Sequence, residues 1–79
     1  MHELDTSGLR CPLPVLRARK RLGSDVAPGE VLRVIATDPA APNDFRAFCD
    51  AAGHTLLESR TEAGADGPVF VMTIRRRAD

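Results

Sequence analysis

Apolar positions recur along this chain with two periods, and turn residues separate the stretches cleanly. Met1 to Thr6 reads as a short extended segment stopped by Ser7-Gly8. From Pro12 to Leu22 the spacing predicts a helix, with proline where a first helical residue tolerates it and Gly23 as the C-terminal cap. At about 100° per residue, Val15, Ala18 and Leu22 share one face, flanked by Pro14 and Arg19. Leu13, Arg17 and Lys20 lie opposite, and Leu16 falls near the boundary. After a Pro28-Gly29 turn, Glu30 to Thr37 carries Val31, Leu32, Val34 and Ile35, an apolar run suited to a central strand. Asp38-Pro39 then offers an N-cap and first residue of a second helix. Pro42 lacks the N–H of a continuing helix, so a regular helix is expected only from Pro42 or Asn43. Phe45, Phe48, Cys49 and Ala52 follow helical spacing and mark its core face, and Gly53 caps it. His54 to Glu62 and Val69 to Arg75 form a hairpin around the loop from Gly64 to Gly67.

The order is therefore β-α-β-α-β-β in one domain, residues 1–79. Two helices cannot cover both faces of a four-stranded sheet, so an α+β fold with two layers, helices on one side, is the simplest arrangement.

Composition narrows the function classes. Eleven Lys+Arg balance eleven Asp+Glu, which argues against a general nucleic-acid or membrane binder. The three phenylalanines, two of them on a core face, leave no stacking platform for single-stranded RNA. The two cysteines are too few for a disulfide scaffold and match no zinc spacing. No apolar run approaches the roughly 20 residues of a membrane span. The start, Met1-His2-Glu3-Leu4-Asp5, lacks the features of a signal peptide, so the cytoplasm is the expected compartment.

Candidate chemistry concentrates in Asp5-Thr6-Ser7-Gly8-Leu9-Arg10-Cys11-Pro12-Leu13-Pro14. Cys11 falls at the N-cap of the first predicted helix, where unpaired N–H groups and the positive end of the helix dipole favour an anion. Pro12 and Pro14 delete two of those donors, which leaves the N–H groups of Cys11 and Leu13, the latter placed to meet the sulfur. From Gly8 to Ser24 the chain holds Arg10, Arg17, Arg19, Lys20 and Arg21 and no acid. A thiol in this setting is expected to titrate below an ordinary cysteine.

Other residues invite plainer readings. Cys49 shares its helix face with Phe45 and Phe48 and reads as core. His54 reads as a cap or a surface group, His2 as frayed, and Arg75-Arg76-Arg77 as a solvated tail. Asp5 and Asp38 are turn formers. Leu13 and Leu16 beside Arg17 and Lys20 make an apolar and basic stripe next to the thiol, which suits a docking surface extended by Arg10 and Arg21.

The chain resembles the TusA-like (SirA) sulfur-carrier family. That family's signature is an Asp, a Gly three residues on, then Cys-Pro-x-Pro opening the first helix, here Asp5, Gly8, Cys11, Pro12 and Pro14. The resemblance continues through Val15 to Lys20, Pro28-Gly29-Glu30, Thr37-Asp38-Pro39-Ala40, Asp44-Phe45, Phe48-Cys49 and Gly53-His54. It implies two helices over a four-stranded mixed sheet, and sulfur-transfer activity with Cys11 as the persulfide carrier. Asp5 and Asp38 would also shape the cysteine loop. The implied partners are a donor, a cysteine desulfurase or rhodanese-type protein, and an acceptor protein in tRNA thiolation, molybdenum-cofactor assembly or sulfur oxidation. No metal or organic cofactor is implied. Members devoted to tRNA thiolation often carry an acid at the position of Leu13, so this chain departs from that branch there. Two alternatives differ in chemistry: a thiol-based redox or regulatory module in which Cys11 is oxidised, and an RNA- or protein-binding module using the basic first helix.

Overall fold

Two parallel strands that end side by side set the architecture. The computed structural model describes residues 2–78, so the expected strand start at Met1 lies outside the described residues. Strand β1 (His2–Thr6) pairs in parallel with β2 (Val31–Ala36), Thr6 opposite Ala36. Helix α1 (Leu13–Ser24) links them, and α2 (Ala41–Ala52) leads from β2 to a hairpin of β3 (Thr55–Gly64) and β4 (Gly67–Arg75). β4 returns antiparallel to β2, which gives the sheet order β1-β2-β4-β3. The sheet is mixed and four-stranded, as the residue pattern and the resemblance both implied.

Burial follows the two periods. Leu32, Val34 and Ala36 of β2, opposite Ile74, Met72 and Phe70 of β4, are buried beneath the helices. Val31, Arg33 and Ile35 alternate to the other face and stay half-buried. β2 is thus central in the sheet yet covered by helices on one side, since the two helices among the described residues pack on the same layer. Ala18 and Leu22 of α1 and Phe45 and Cys49 of α2 complete the core, with Val15 and Phe48 packed against its rim. Phe45 is fully buried and meets the Phe48 ring edge-on at 6.5 Å.

The helix ends differ from expectation for identifiable reasons. α1 runs through Gly23 to Ser24 and closes at Asp25, where the N–H groups of Asp25 and Val26 donate to the Arg21 carbonyl. The extra turn delivers Val26, which is 1% exposed, into the core. Gly23 is therefore no cap. α2 starts at Ala41, one residue before the earlier of the two expected starts, Pro42 or Asn43, because Pro42 occupies the second helical position, where an N–H is not needed. Gly53 ends α2 as expected, with φ +80° and its N–H on the Cys49 carbonyl.

The basic end is anchored rather than solvated. The Arg76 N–H donates to the Glu30 carbonyl at 2.9 Å, and its guanidinium donates to the Val26 carbonyl at 2.8 Å. The Arg77 N–H donates to His54 Nδ1 at 3.0 Å, and the His54 ring packs on Phe48 at 5.6 Å. Burial, then the nearby Arg77 and Arg76, hold His54 below the usual histidine range, consistent with its role as a neutral acceptor. His2 likewise is not frayed: it sits in β1 with Nε2 3.1 Å from the Glu30 carboxylate.

Phe45 should be the most sensitive of these positions. Phe45→Ala is expected to cost about 3–5 kcal/mol, a large share of the roughly 4–12 kcal/mol available to a chain of this size. Leu13→Ala, at an exposed site, should stay within about 0.5 kcal/mol. Urea denaturation of both variants checks the contrast.

Candidate functional site

Because β1 and β2 finish at the same end of the sheet, the two loops that follow them meet there, and so do the N-termini of both helices. The β1–α1 loop is built stepwise. Asp5 Oδ1 accepts the Ser7 N–H at 2.9 Å, and the Thr6 carbonyl accepts the Leu9 N–H at 3.1 Å. The hydroxyl of buried Thr6 donates to the Ile35 carbonyl at 2.6 Å, which fixes the loop's origin to β2. Gly8 takes φ +81°, a conformation that side-chain-bearing residues rarely adopt. Its N–H donates to Thr37 Oγ1 at 2.9 Å.

A second tie fastens the cysteine itself. The Cys11 N–H donates to Asp38 Oδ2 at 2.6 Å, while Asp38 Oδ1 accepts the Ala40 N–H at 2.9 Å. One carboxylate therefore joins the turn before α1 to the turn before α2. Pro12 takes the N-cap position, with Cys11 one residue ahead of it. The Leu13 N–H donates to the Arg10 carbonyl at 2.8 Å. The expectation that this N–H meets the sulfur is thus overturned: it closes the Arg10–Leu13 turn instead. Pro14 is buried on the core side of α1, and Pro12 is exposed.

The Cys11 thiol is exposed, whereas Cys49 is 2% exposed, and both are free. Their electrostatics invert the sequence expectation for Cys11. The neighbouring Asp44 carboxylate as an acceptor, then loss of solvation and the charges of Asp44 and Asp38, push its pKa up. Lowering by cations fails for a geometric reason. Arg17, the first cation within α1, is exposed on the helix that follows the cysteine, where solvent screens its charge. Arg10, adjacent in sequence, lines the same hollow as Asp38, and its charge adds a minor lowering of that carboxyl. The larger contributions to Asp38 come from the N–H groups of Ala40 and Cys11. Burial, then Asp50, pushes the Cys49 thiol up to about 11.

The whole arrangement can be set beside known proteins. Residues 2–76 match the family model described as Sulfurtransferase TusA. The chain belongs to the TusA family. It is 55% identical over 62 residues to the sulfur carrier protein TusA of Allochromatium vinosum, covering 78% of this chain and 80% of that protein. It is 43% identical over 76 residues to the sulfur carrier protein TusA of Pseudomonas aeruginosa, covering 96% of this chain and 90% of that protein. The crystal structure of a SirA-like protein from Desulfitobacterium hafniense superposes with a TM-score of 0.72 at 26% identity, covering 98% of this chain and 99% of that one.

In this TusA-family chain the candidate residues separate into two groups. Asp5, Gly8, Pro12, Pro14 and Asp38 build the turn around Cys11. Leu13, Leu16, Arg17 and Lys20 line one shallow depression on the outer face of α1, with Leu13 and Leu16 42% and 49% exposed. Leu16 therefore belongs fully to that outer stripe. Arg10 lines a neighbouring hollow with Gly8, Thr37, Asp38 and Pro39. Arg21 is half-buried and paired with Asp25 at 2.9 Å, apart from the stripe. Thr37 and Asp44 were not read from the sequence as site residues. Both lie within the stretches that carry the family resemblance, but only the fold shows that they face the cysteine loop. Among the described residues no cluster of His, Cys, Asp and Glu is arranged to hold a metal ion.

Since the folded state lowers the Asp38 pKa, its two bonds are fully present above the unfolded carboxylate range and are lost as pH falls through the lowered value. The amide resonances of Cys11 and Ala40 should therefore shift together in an acid titration, with one midpoint below that of an ordinary aspartate. Two-dimensional NMR of labelled protein checks this, and separate midpoints would break the proposed bridge.

Proposed function

We propose that this protein carries sulfane sulfur as a persulfide on Cys11 and hands it between proteins, acting as a sulfurtransferase in a relay. One observation supports the reading above others: of the two thiols, the one in the family motif is exposed and has its backbone tied across two loops, while the other is buried. A carrier needs its sulfur reachable by two protein partners in turn, and a rigid turn presents it the same way to each.

The chemistry is a pair of exchanges. The Cys11 thiolate attacks the outer sulfur of a donor persulfide. The new S–S bond forms as the old one breaks, and the bond's electron pair leaves on the donor's inner sulfur as a thiolate. An acceptor thiolate then attacks the outer sulfur now on Cys11, and Cys11 leaves as the thiolate. The sulfane sulfur keeps its oxidation level throughout, so no external oxidant or reductant enters. Because the folded protein raises the Cys11 pKa, the thiol is the resting species, and the thiolate fraction grows as pH rises through the raised value.

The donor, a desulfurase or rhodanese-type protein, and the acceptor would dock on the stripe of Leu13, Leu16, Arg17 and Lys20, with Arg10 beside the sulfur. An apolar centre with a cationic rim suits a partner surface carrying carboxylates around an apolar contact. Such a relay would operate in the cytoplasm, in tRNA thiolation, molybdenum-cofactor assembly or sulfur metabolism. No described helix is long and apolar enough to cross a membrane.

Mass spectrometry after incubation with a persulfide donor provides the test. Wild type and Cys49→Ser should gain the mass of one sulfur atom, and Cys11→Ser should gain none. Reversing Arg17 and Lys20 to Glu should slow loading from a protein donor about tenfold or more, with loading from inorganic polysulfide unchanged. Sulfur on Cys11→Ser would overturn the assignment, and oxygen or glutathione as the stable adduct on wild-type Cys11 would favour a redox module instead.

A further inference from the structure

A loop held by one hydrogen bond is fixed at a point and can still pivot about it. The loop that carries Cys11 is held at two points, and both anchors come from consecutive residues after β2. The Cys11 N–H donates to Asp38 Oδ2 at 2.6 Å, and the Gly8 N–H, three residues earlier, donates to Thr37 Oγ1 at 2.9 Å. The anchors are themselves fixed. Half-buried Thr37 directly follows Ala36, the last residue of β2, which is paired with Thr6 on one side and Phe70 on the other. On the other flank, Asp38 Oδ1 accepts the Ala40 N–H at 2.9 Å. Gly8 takes φ +81°, so the cysteine loop turns at the very residue that Thr37 grips.

Gly8 and Thr37 also line both hollows that flank the loop. One hollow runs from them to Arg10, Asp38 and Pro39, and the other to Asp66 and Pro68 at the tip of the β3–β4 hairpin. Their contact is the wall between the two. We infer that Thr37 is a positioning residue for sulfur transfer: its hydroxyl, acting through the Gly8 N–H, stops the cysteine loop from pivoting about the Asp38 anchor and so sets the direction from which a protein partner meets Cys11. This rests on the carrier reading of Cys11. No atom passes to or from Thr37, and the sulfur exchanges themselves are unchanged. The effect is selective. A protein partner arrives as a shaped surface and needs the loop in one orientation, whereas a small polysulfide reaches an exposed thiol from many directions.

The experiment compares Thr37→Val, which keeps the branched shape and removes the acceptor, with Thr37→Ser, which keeps the hydroxyl. Both are made in a Cys49→Ala background so that only Cys11 reports. Exchange of the Gly8 and Cys11 amides with solvent is read by NMR. Sulfur loading is timed from inorganic polysulfide and from a protein donor, a cysteine desulfurase supplied with L-cysteine or a rhodanese-type protein supplied with thiosulfate, whichever loads the background protein. In Thr37→Val the Gly8 amide should exchange faster while the Cys11 amide keeps its protection. The ratio of protein-donor to polysulfide loading rates should fall about fivefold or more. Thr37→Ser should restore both readings. Thr61→Val, the same change at an exposed position of β3, should leave both in place. An unchanged ratio in Thr37→Val, or an equal fall in Thr37→Ser or Thr61→Val, overturns the inference. So does loss of Cys11 protection together with that of Gly8, which would mean that Thr37 only keeps the loop folded. Loading from polysulfide but from neither protein donor overturns it too, since no shaped partner then uses the orientation. A background protein that takes sulfur from no source overturns the carrier reading and the transfer role of Thr37 with it. The amide exchange then still decides whether Thr37 holds Gly8.

Discussion

The bridge made by the Asp38 carboxylate is the constraint on which the site depends. One oxygen holds the Cys11 N–H and the other holds the Ala40 N–H. Those two amides belong to turns 29 residues apart in sequence, brought together because the parallel strands β1 and β2 finish in register. The sheet supplies the coincidence of the two loops, and the carboxylate converts it into a fixed geometry. Thr37 adds a second tie to Gly8 one residue earlier in the same loop. The two bonds to the Asp38 carboxylate are charge-assisted, among the stronger ones a surface loop can make. Their service is directional: they fix the backbone from which the sulfur projects.

The surroundings of that sulfur are acidic, in a stretch whose own sequence is basic. Five cations between Gly8 and Ser24 suggest a thiolate stabilised by positive charge. In the fold, most of them lie along α1, while Asp38 and Asp44 approach from the following loop and helix. The result is a thiol kept protonated at rest, with a separate basic and apolar stripe beside it. Activation and docking thus occupy different residues. A resting thiol is also less prone to oxidation than a resting thiolate, which suits a cysteine exposed to solvent.

Sequence periodicity carried the layers, the element order and the core faces of the helices, as in Phe45-Cys49, whereas the continuous apolar run of β2 did not show that Leu32, Val34 and Ala36 are the residues beneath the helices. It misplaced the end of α1, since Gly23 looks like a cap until Val26 is seen to need one more turn to reach the core. It misread Arg76 and Arg77, because a run of three arginines carries no sign of the carbonyls of Val26 and Ala52 that receive them. The motif cysteine and its prolines were legible from their place at a helix start, and the part of Asp5 and Asp38 in the cysteine loop only from the family resemblance. The direction of the electrostatic effect on Cys11 was not, because it is set by residues 27 and 33 positions further along, and only folding brings those carboxylates to the thiol.

The claim that joins fold to function is that Asp38 aims Cys11. Single-turnover transfer of labelled sulfane sulfur from a protein donor through this chain to an acceptor thiol measures it most directly, with Asp38→Ala compared against wild type and circular dichroism confirming that both are folded. A folded Asp38→Ala protein that transfers sulfur at least about tenfold more slowly is the predicted result, since a reacting group displaced by about 1 Å loses much of its oriented reactivity. Transfer at the wild-type rate by a folded Asp38→Ala protein would contradict the account.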